Sequence, residues 1–138
     1  MRLRRSHTEI YLHLVWATWD RLPLIGANLR PRLYANLAHQ AAELGADVIA
    51  IGGMPDHAHL LVRFPAIISV SEFVARVKSA SSYFVSHILP EAEPFKWQGG
   101  YGAFSVSRRG LAAAREYVLN QEAHHRDGTF LRPLEPGR

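Results

Sequence analysis

Apolar and polar residues alternate from Thr8 to Thr18, TEIYLHLVWAT. Ile10, Leu12, Leu14 and Trp16 fall on one side, and Tyr11, His13 and Val15 on the other. That period of two, in β-branched and aromatic residues, predicts a strand. Residues 20–28 hold Pro23 and Gly26 and read as a loop. Leu33, Leu37, Ala41 and Leu44 then recur at helical spacing, which predicts a helix over Leu29–Leu44 stopped by Gly45. Ala46–Ile51 and His57–Phe64 read as strands joined through Gly52, Gly53, Pro55 and Asp56, an antiparallel hairpin. Ser69 or Ser71 can cap the next helix, with Glu72 in its first turn and Phe73, Val77, Phe84 and Ile88 as its apolar stripe. Pro90 and Pro94 mark a loop, Gly102–Val106 a fourth strand, and Ser107 the cap of a last helix running to about His125. Residues 127–138 read as an irregular tail.

The order strand, helix, strand, strand, helix, strand, helix begins as the split βαβ, ferredoxin-like pattern. The expectation is an α+β fold: one antiparallel sheet (RRM-like), helices on one face, and an added C-terminal helix. With no repeat or linker, residues 1–138 read as a single domain.

Composition narrows the classes. Apolar residues make up 48% and charged residues 20% of the chain, a globular balance. No apolar run reaches the roughly 18 residues of a membrane span. The basic start does not read as a secretory signal, and there is no cysteine, so disulfides and thiolate metal sites are excluded. A cytoplasmic location is expected. The formal charge is +4, and 14 of the 16 basic residues are arginine. Arginine's planar fork suits phosphate, which turns attention to nucleic acid.

His57 and His59 share a strand face, with Ala58 pointing the other way. Two imidazoles so placed can share one metal ion, although a strand edge also accommodates two unrelated histidines. On the last helix Tyr117 and Gln121 are four residues apart and share a face; His124 lies nearly on it, and His125 one position round. Each has an ordinary explanation alone, as a half-buried anchor, a surface amide or a solvated helix end. Together with the histidine pair they suggest phosphoryl transfer to a tyrosine. Tyrosine is a weak nucleophile, with a pKa of about 10, so a divalent cation that neutralises charge on the phosphate helps most. Gln121 offers a neutral oxygen that suits Mg²⁺ or Mn²⁺, and His124 is the alternative third ligand. His13, mid-strand, is either near this site or a hydrogen-bonded structural residue.

Four stretches, YLHLVWATWDRLPLI from Tyr11, GGMPDHAHLLV from Gly52, FKWQGGYGAFSVS from Phe95 and EYVLNQEAHH from Glu116, span Tyr11 to His125. In them the chain resembles the HUH-type single-tyrosine transposases of small bacterial insertion sequences and the related REP-associated tyrosine transposases. The resemblance implies Tyr117 as nucleophile and His57, His59 and Gln121 as ligands of Mg²⁺ or Mn²⁺. It implies cutting and rejoining of single-stranded DNA through a 5′-phosphotyrosine, with recognition of subterminal hairpins. It also implies a homodimer with merged sheets and composite sites, histidines from one subunit and tyrosine from the other. Ala58 departs from the family's usual valine, a change expected to affect packing only.

The strand Thr8–Thr18 is a candidate edge for the merger. Arg4, Arg5, Arg76, Lys78, Arg108 and Arg109 are candidate DNA-backbone contacts, with solvated charges as the alternative. Trp97 and Tyr101 could stack on bases or pack in the core. No membrane partner or small-molecule substrate is expected. Two alternatives share the fold: a domesticated or inactive relative that binds hairpins without cutting, and an RNP-type RNA binder. The second is disfavoured, because histidines stand in the strand and no RNP-like aromatic run is present.

Overall fold

The computed structural model describes residues 6–89 and 94–121. Strands β1 (Tyr11–Ala17), β2 (Asp47–Met54), β3 (His57–Arg63) and β4 (Gly102–Val106) form one antiparallel sheet in the order β2-β3-β1-β4. Helix α1 (Arg30–Glu43) joins β1 to β2, α2 (Val70–Tyr83) joins β3 to β4, and α3 (Leu111–Leu119) follows β4. This is the expected ferredoxin-like α+β arrangement.

Local chemistry accounts for most boundaries. Pro31 stands in the first turn of α1, where its missing N–H costs nothing. Gly45 adopts φ +96° after that helix, a left-handed turn that a side chain would disfavour. Ser69 caps α2, its Oγ accepting from the Glu72 N–H at 3.1 Å. The hairpin turn is shorter than expected, only Pro55 and Asp56, because Gly52 and Gly53 continue β2. A single π turn, Phe84–Ile88, ends the second helical segment. Before α3, Ser107 Oγ accepts from the Gly110 N–H at 2.9 Å, and the helix proper begins at Leu111.

Alternation in β1 and β3 sorts the sheet into two faces. Leu14 and Trp16 of β1, with Ala58, Leu60 and Val62 of β3, meet α1 and α2 in the main core, which also holds Leu33, Leu37, Phe73 and Val77. Ala58 therefore does face away from the histidines, and it is buried in this core. The other face carries a smaller cluster, Ala50, Leu61 and Val118, where α3 lies over β2 and β3. With both faces covered, β3 is buried at all positions but Arg63, whereas β4 alternates between half-buried and exposed.

One expectation is corrected and one pair of alternatives is decided. β1 is not an edge: it lies between β3 and β4, and the outer strands are β2 and β4. Trp97 does not stand ready to stack on bases. It is 6% exposed, packed edge-on to Trp16 and Phe95, and donates Nε1–H to Ser81 Oγ at 3.0 Å.

Phe73 is fully buried against Phe64, with ring centroids 5.0 Å apart. Phe73→Ala removes that contact and leaves a cavity under the sheet. The expected loss is about 3–5 kcal/mol of unfolding free energy, read by chemical denaturation.

Candidate active site

Period two and the β1–β3 register together build the site. Val15 pairs with His59 and Ala17 with His57, so His13, His57 and His59 all emerge on the face that α3 covers. None exceeds 2% exposure. His57 and His59 have ring centroids 5.0 Å apart.

Each of the paired histidines has its Nδ1 engaged within the protein. His57 Nδ1 lies 2.8 Å from Asp56 Oδ1. His59 Nδ1 lies 2.6 Å from His13 Nε2, the two rings stacked with centroids 4.8 Å apart. A histidine held at Nδ1 by a carboxylate or another acceptor carries its proton there and its lone pair on Nε2, the usual arrangement behind a metal-ligating imidazole.

Asp56 is in turn held by Arg21, whose Nε donates to Oδ2 at 3.1 Å. Burial raises the cost of the carboxylate charge. The hydrogen bond and charge of His57 and the Arg21 guanidinium outweigh it and hold Asp56 at about 2. Arg21 and its neighbour Asp20 adopt φ 54° and 55°, a left-handed conformation that costs non-glycine residues about 1 kcal/mol or more each. Hydrogen bonds overdetermine it: Asp20 N–H to Gln98 Oε1 at 2.7 Å and Arg21 N–H to the Thr18 carbonyl at 3.0 Å. The strained turn thus ends with Arg21 on the Asp56 carboxylate.

Tyr117 comes from above, on α3, and is 4% exposed. Its ring stands edge-on to His59 and His13, with centroids 5.9 and 6.1 Å away. These histidines belong to the same chain as the tyrosine. Gln121, just past the Asn120 cap of α3, is 1% exposed, and its Nε2 donates to the Tyr117 carbonyl at 2.9 Å. Its Oε1 is buried with no hydrogen-bond partner among the described residues. Such an oxygen is costly unless something comes to it, and it is the hard donor a Mg²⁺ or Mn²⁺ ion requires. Among the described residues no group of three His, Cys, Asp or Glu side chains could hold a metal. The candidate set of two histidines and a glutamine has a different composition, and it suits the ion in donor type. His124 and His125 lie outside the described residues.

The seat for α3 is Gly52. It pairs with His59 across the hairpin, and a Cβ at this position would run into the Val118 carbonyl oxygen. Only a glycine lets the helix settle onto β2 at this height, which sets Tyr117 at the level of the histidine rings.

The expected DNA contacts divide. Arg4 and Arg5 lie outside the described residues. Lys78 is a structural tie: its Nζ donates to the carbonyls of Gln98 and Gly100 at 2.6 and 2.9 Å, and partial burial lowers its pKa. Arg108 pairs with Glu9 at 2.7 Å, and Arg76 with Glu72 at 3.6 Å, both exposed. Arg109 and Tyr101 are exposed. Reasoning from sequence missed Asp56 as a partner of His57, although it is the preceding residue. It also missed Arg21, which is 35 positions away in the chain.

Comparisons with known proteins agree on one family. The family model described as "Transposase IS200 like" matches residues 6–121. ISDra2 transposase TnpA of Deinococcus radiodurans is 27% identical over 118 residues, covering 82% of this chain and 84% of that protein. A crystal structure of a putative transposase from Deinococcus radiodurans superposes with a TM-score of 0.65 at 27% identity, covering 88% of this chain and 98% of the other. A REP-associated tyrosine transposase bound to a REP hairpin has the same fold, with a TM-score of 0.63 at 12% identity over 94% of this chain and 76% of its own.

Gly52→Ala is expected to lift α3 off the sheet. The overpacking should cost about 1–3 kcal/mol of stability. Amide hydrogen exchange checks the location: protection should fall over residues 111–119 and persist in β1 and β3.

Proposed function

The chain belongs to the IS200-like transposase family, and on that premise we propose that it cuts and rejoins single-stranded DNA with Tyr117 as nucleophile. The observation that carries this reading is the burial of Tyr117 edge-on to His59, next to a histidine pair whose Nδ1 atoms are already engaged. The Tyr117 phenolic oxygen attacks a phosphodiester phosphorus and loses its proton. A P–O bond to tyrosine forms as the bond to the 3′ oxygen breaks, and that oxygen leaves as a 3′-OH. The 5′-phosphotyrosine conserves the ester bond, so a 3′-OH from another cut can reverse the step and join strands with no external energy source.

His57, His59 and Gln121 are the residues that would hold a Mg²⁺ or Mn²⁺ ion, and such an ion would supply polarisation of the phosphate and neutralisation of its developing charge. Asp56 and Arg21 orient the His57 ring, and the packing of α3 through Gly52 sets the nucleophile's height.

The partner is single-stranded DNA carrying hairpins. Its support is the family and the REP hairpin bound by the structural neighbour of the same fold. The exposed guanidinium of Arg109 is available for phosphate, and those of Arg76 and Arg108 become so by exchanging a surface ion pair worth little in water. A homodimer would merge along an outer strand, β4 or β2, whose outer edge pairs with no strand among the described residues and can accept another. Because Tyr117 rests against its own chain's histidines, each subunit holds a complete site in this arrangement.

The test is incubation with labelled single-stranded DNA of the source element and Mg²⁺ or Mn²⁺. A protein–DNA adduct that survives denaturation is expected; Tyr117→Phe should abolish it, and His57→Ala or chelation should slow it by about 10²–10³. A protein that binds hairpins and never forms the adduct is the non-cutting relative instead. Subunit sharing has its own readout. Mixing inactive His57→Ala and Tyr117→Phe chains should leave activity absent, because every site then keeps one defect; recovery would show that the tyrosine crosses to its partner.

A further inference from the structure

Among the described residues at the site, His13 is a buried polar group that the proposed reaction leaves without a task. It is 2% exposed, in the middle of β1, stacked on the His59 ring, with Phe104 tilted beside it and the Tyr117 ring edge-on. Its Nε2 and the Nδ1 of His59 are 2.6 Å apart, so one proton lies between them. Only two neutral arrangements are compatible with this contact. With the proton on His59 Nδ1, the His59 lone pair is on Nε2 and the ring can ligate a metal there. With the proton on His13 Nε2, His59 must carry its own proton on Nε2, and that nitrogen cannot ligate.

We propose that His13 is a positioning residue: its Nε2 accepts the Nδ1–H of His59 and so fixes the tautomer and ring orientation in which His59 presents Nε2 to the cation. His13 then carries its own proton on Nδ1. It plays for His59 the part that Asp56 plays for His57, with an imidazole in place of a carboxylate. The pair is diagonal across the central strands, since His13 is in register with Leu61 and Val15 with His59. Two rings reach each other there, whereas a shorter side chain at residue 13 would not. The inference rests on the reading of His57 and His59 as metal ligands.

Its test has two readouts on the full chain. In metal-free protein, ¹⁵N NMR of the histidine rings should show His59 with a protonated Nδ1 and an unprotonated Nε2. Mn²⁺ titration followed by electron paramagnetic resonance should show affinity weakened about 10–100-fold in His13→Leu. His13→Gln, whose amide oxygen can reach the same N–H, should recover most of it, and thermal unfolding of both variants confirms that they fold. The assignment is overturned if wild-type His59 carries its proton on Nε2, or if His13→Leu changes neither the tautomer nor the Mn²⁺ affinity. If the wild-type chain binds no Mn²⁺, or His57→Ala and His59→Ala bind it equally well, the metal reading alone falls. The His59 tautomer in the same samples still decides the role of His13.

Discussion

The antiparallel pairing of β1 with β3 is the constraint on which everything else depends. Its register sets Val15 opposite His59 and Ala17 opposite His57. Successive side chains leave a strand on opposite faces, so this one pairing sends Leu14, Trp16, Ala58 and Leu60 into the main core and His13, His57 and His59 to the other side. A slip of one residue would turn the imidazoles toward α1 and α2 and the leucines toward α3. The large apolar core on one face therefore fixes the placement of the histidines on the other.

Burying three imidazoles in the middle of a sheet is costly unless their polar atoms are engaged. The fold engages one nitrogen of each ring inside the site: Asp56 meets His57 Nδ1, His13 Nε2 meets His59 Nδ1, and Arg21 in turn holds Asp56. Such a chain of buried and half-buried polar contacts restrains each ring's orientation, because rotating a member would break its neighbour's bond. The positive φ angles at Asp20 and Arg21 are backbone strain spent on this network.

Above it, α3 is attached differently. Among the described residues its buried apolar contact is the small cluster around Leu61 and Val118, against the much larger core beneath the sheet. An element with few buried apolar contacts is the one whose detachment costs least. The arrangement separates duties: a rigid floor of histidines and a lighter helix that brings the tyrosine to it, seated by the absent side chain of Gly52.

What could be read in the sequence alone followed from local periodicity and side-chain type. Period two in Thr8–Thr18, helical spacing in α1 and the Ser69 cap are properties of neighbouring residues, so the elements and the shared face of His57 and His59 were legible. Tyr117 was legible as a helix residue, whereas Gln121, expected on the same helix, stands just past the Asn120 cap of α3. Strand order was not legible, because an interior strand and an edge strand can carry the same alternation; only closure of the sheet placed β1 between β3 and β4. Trp97 could equally have been a stacking platform, until packing against Trp16 and Phe95 put it in the core. The meeting of His13 with His59, and of Arg21 with Asp56, joins residues 46 and 35 positions apart. Proximity of that kind is a product of tertiary folding and leaves no mark in the local sequence, so the sequence determined which groups were available and the fold alone decided which of them touch.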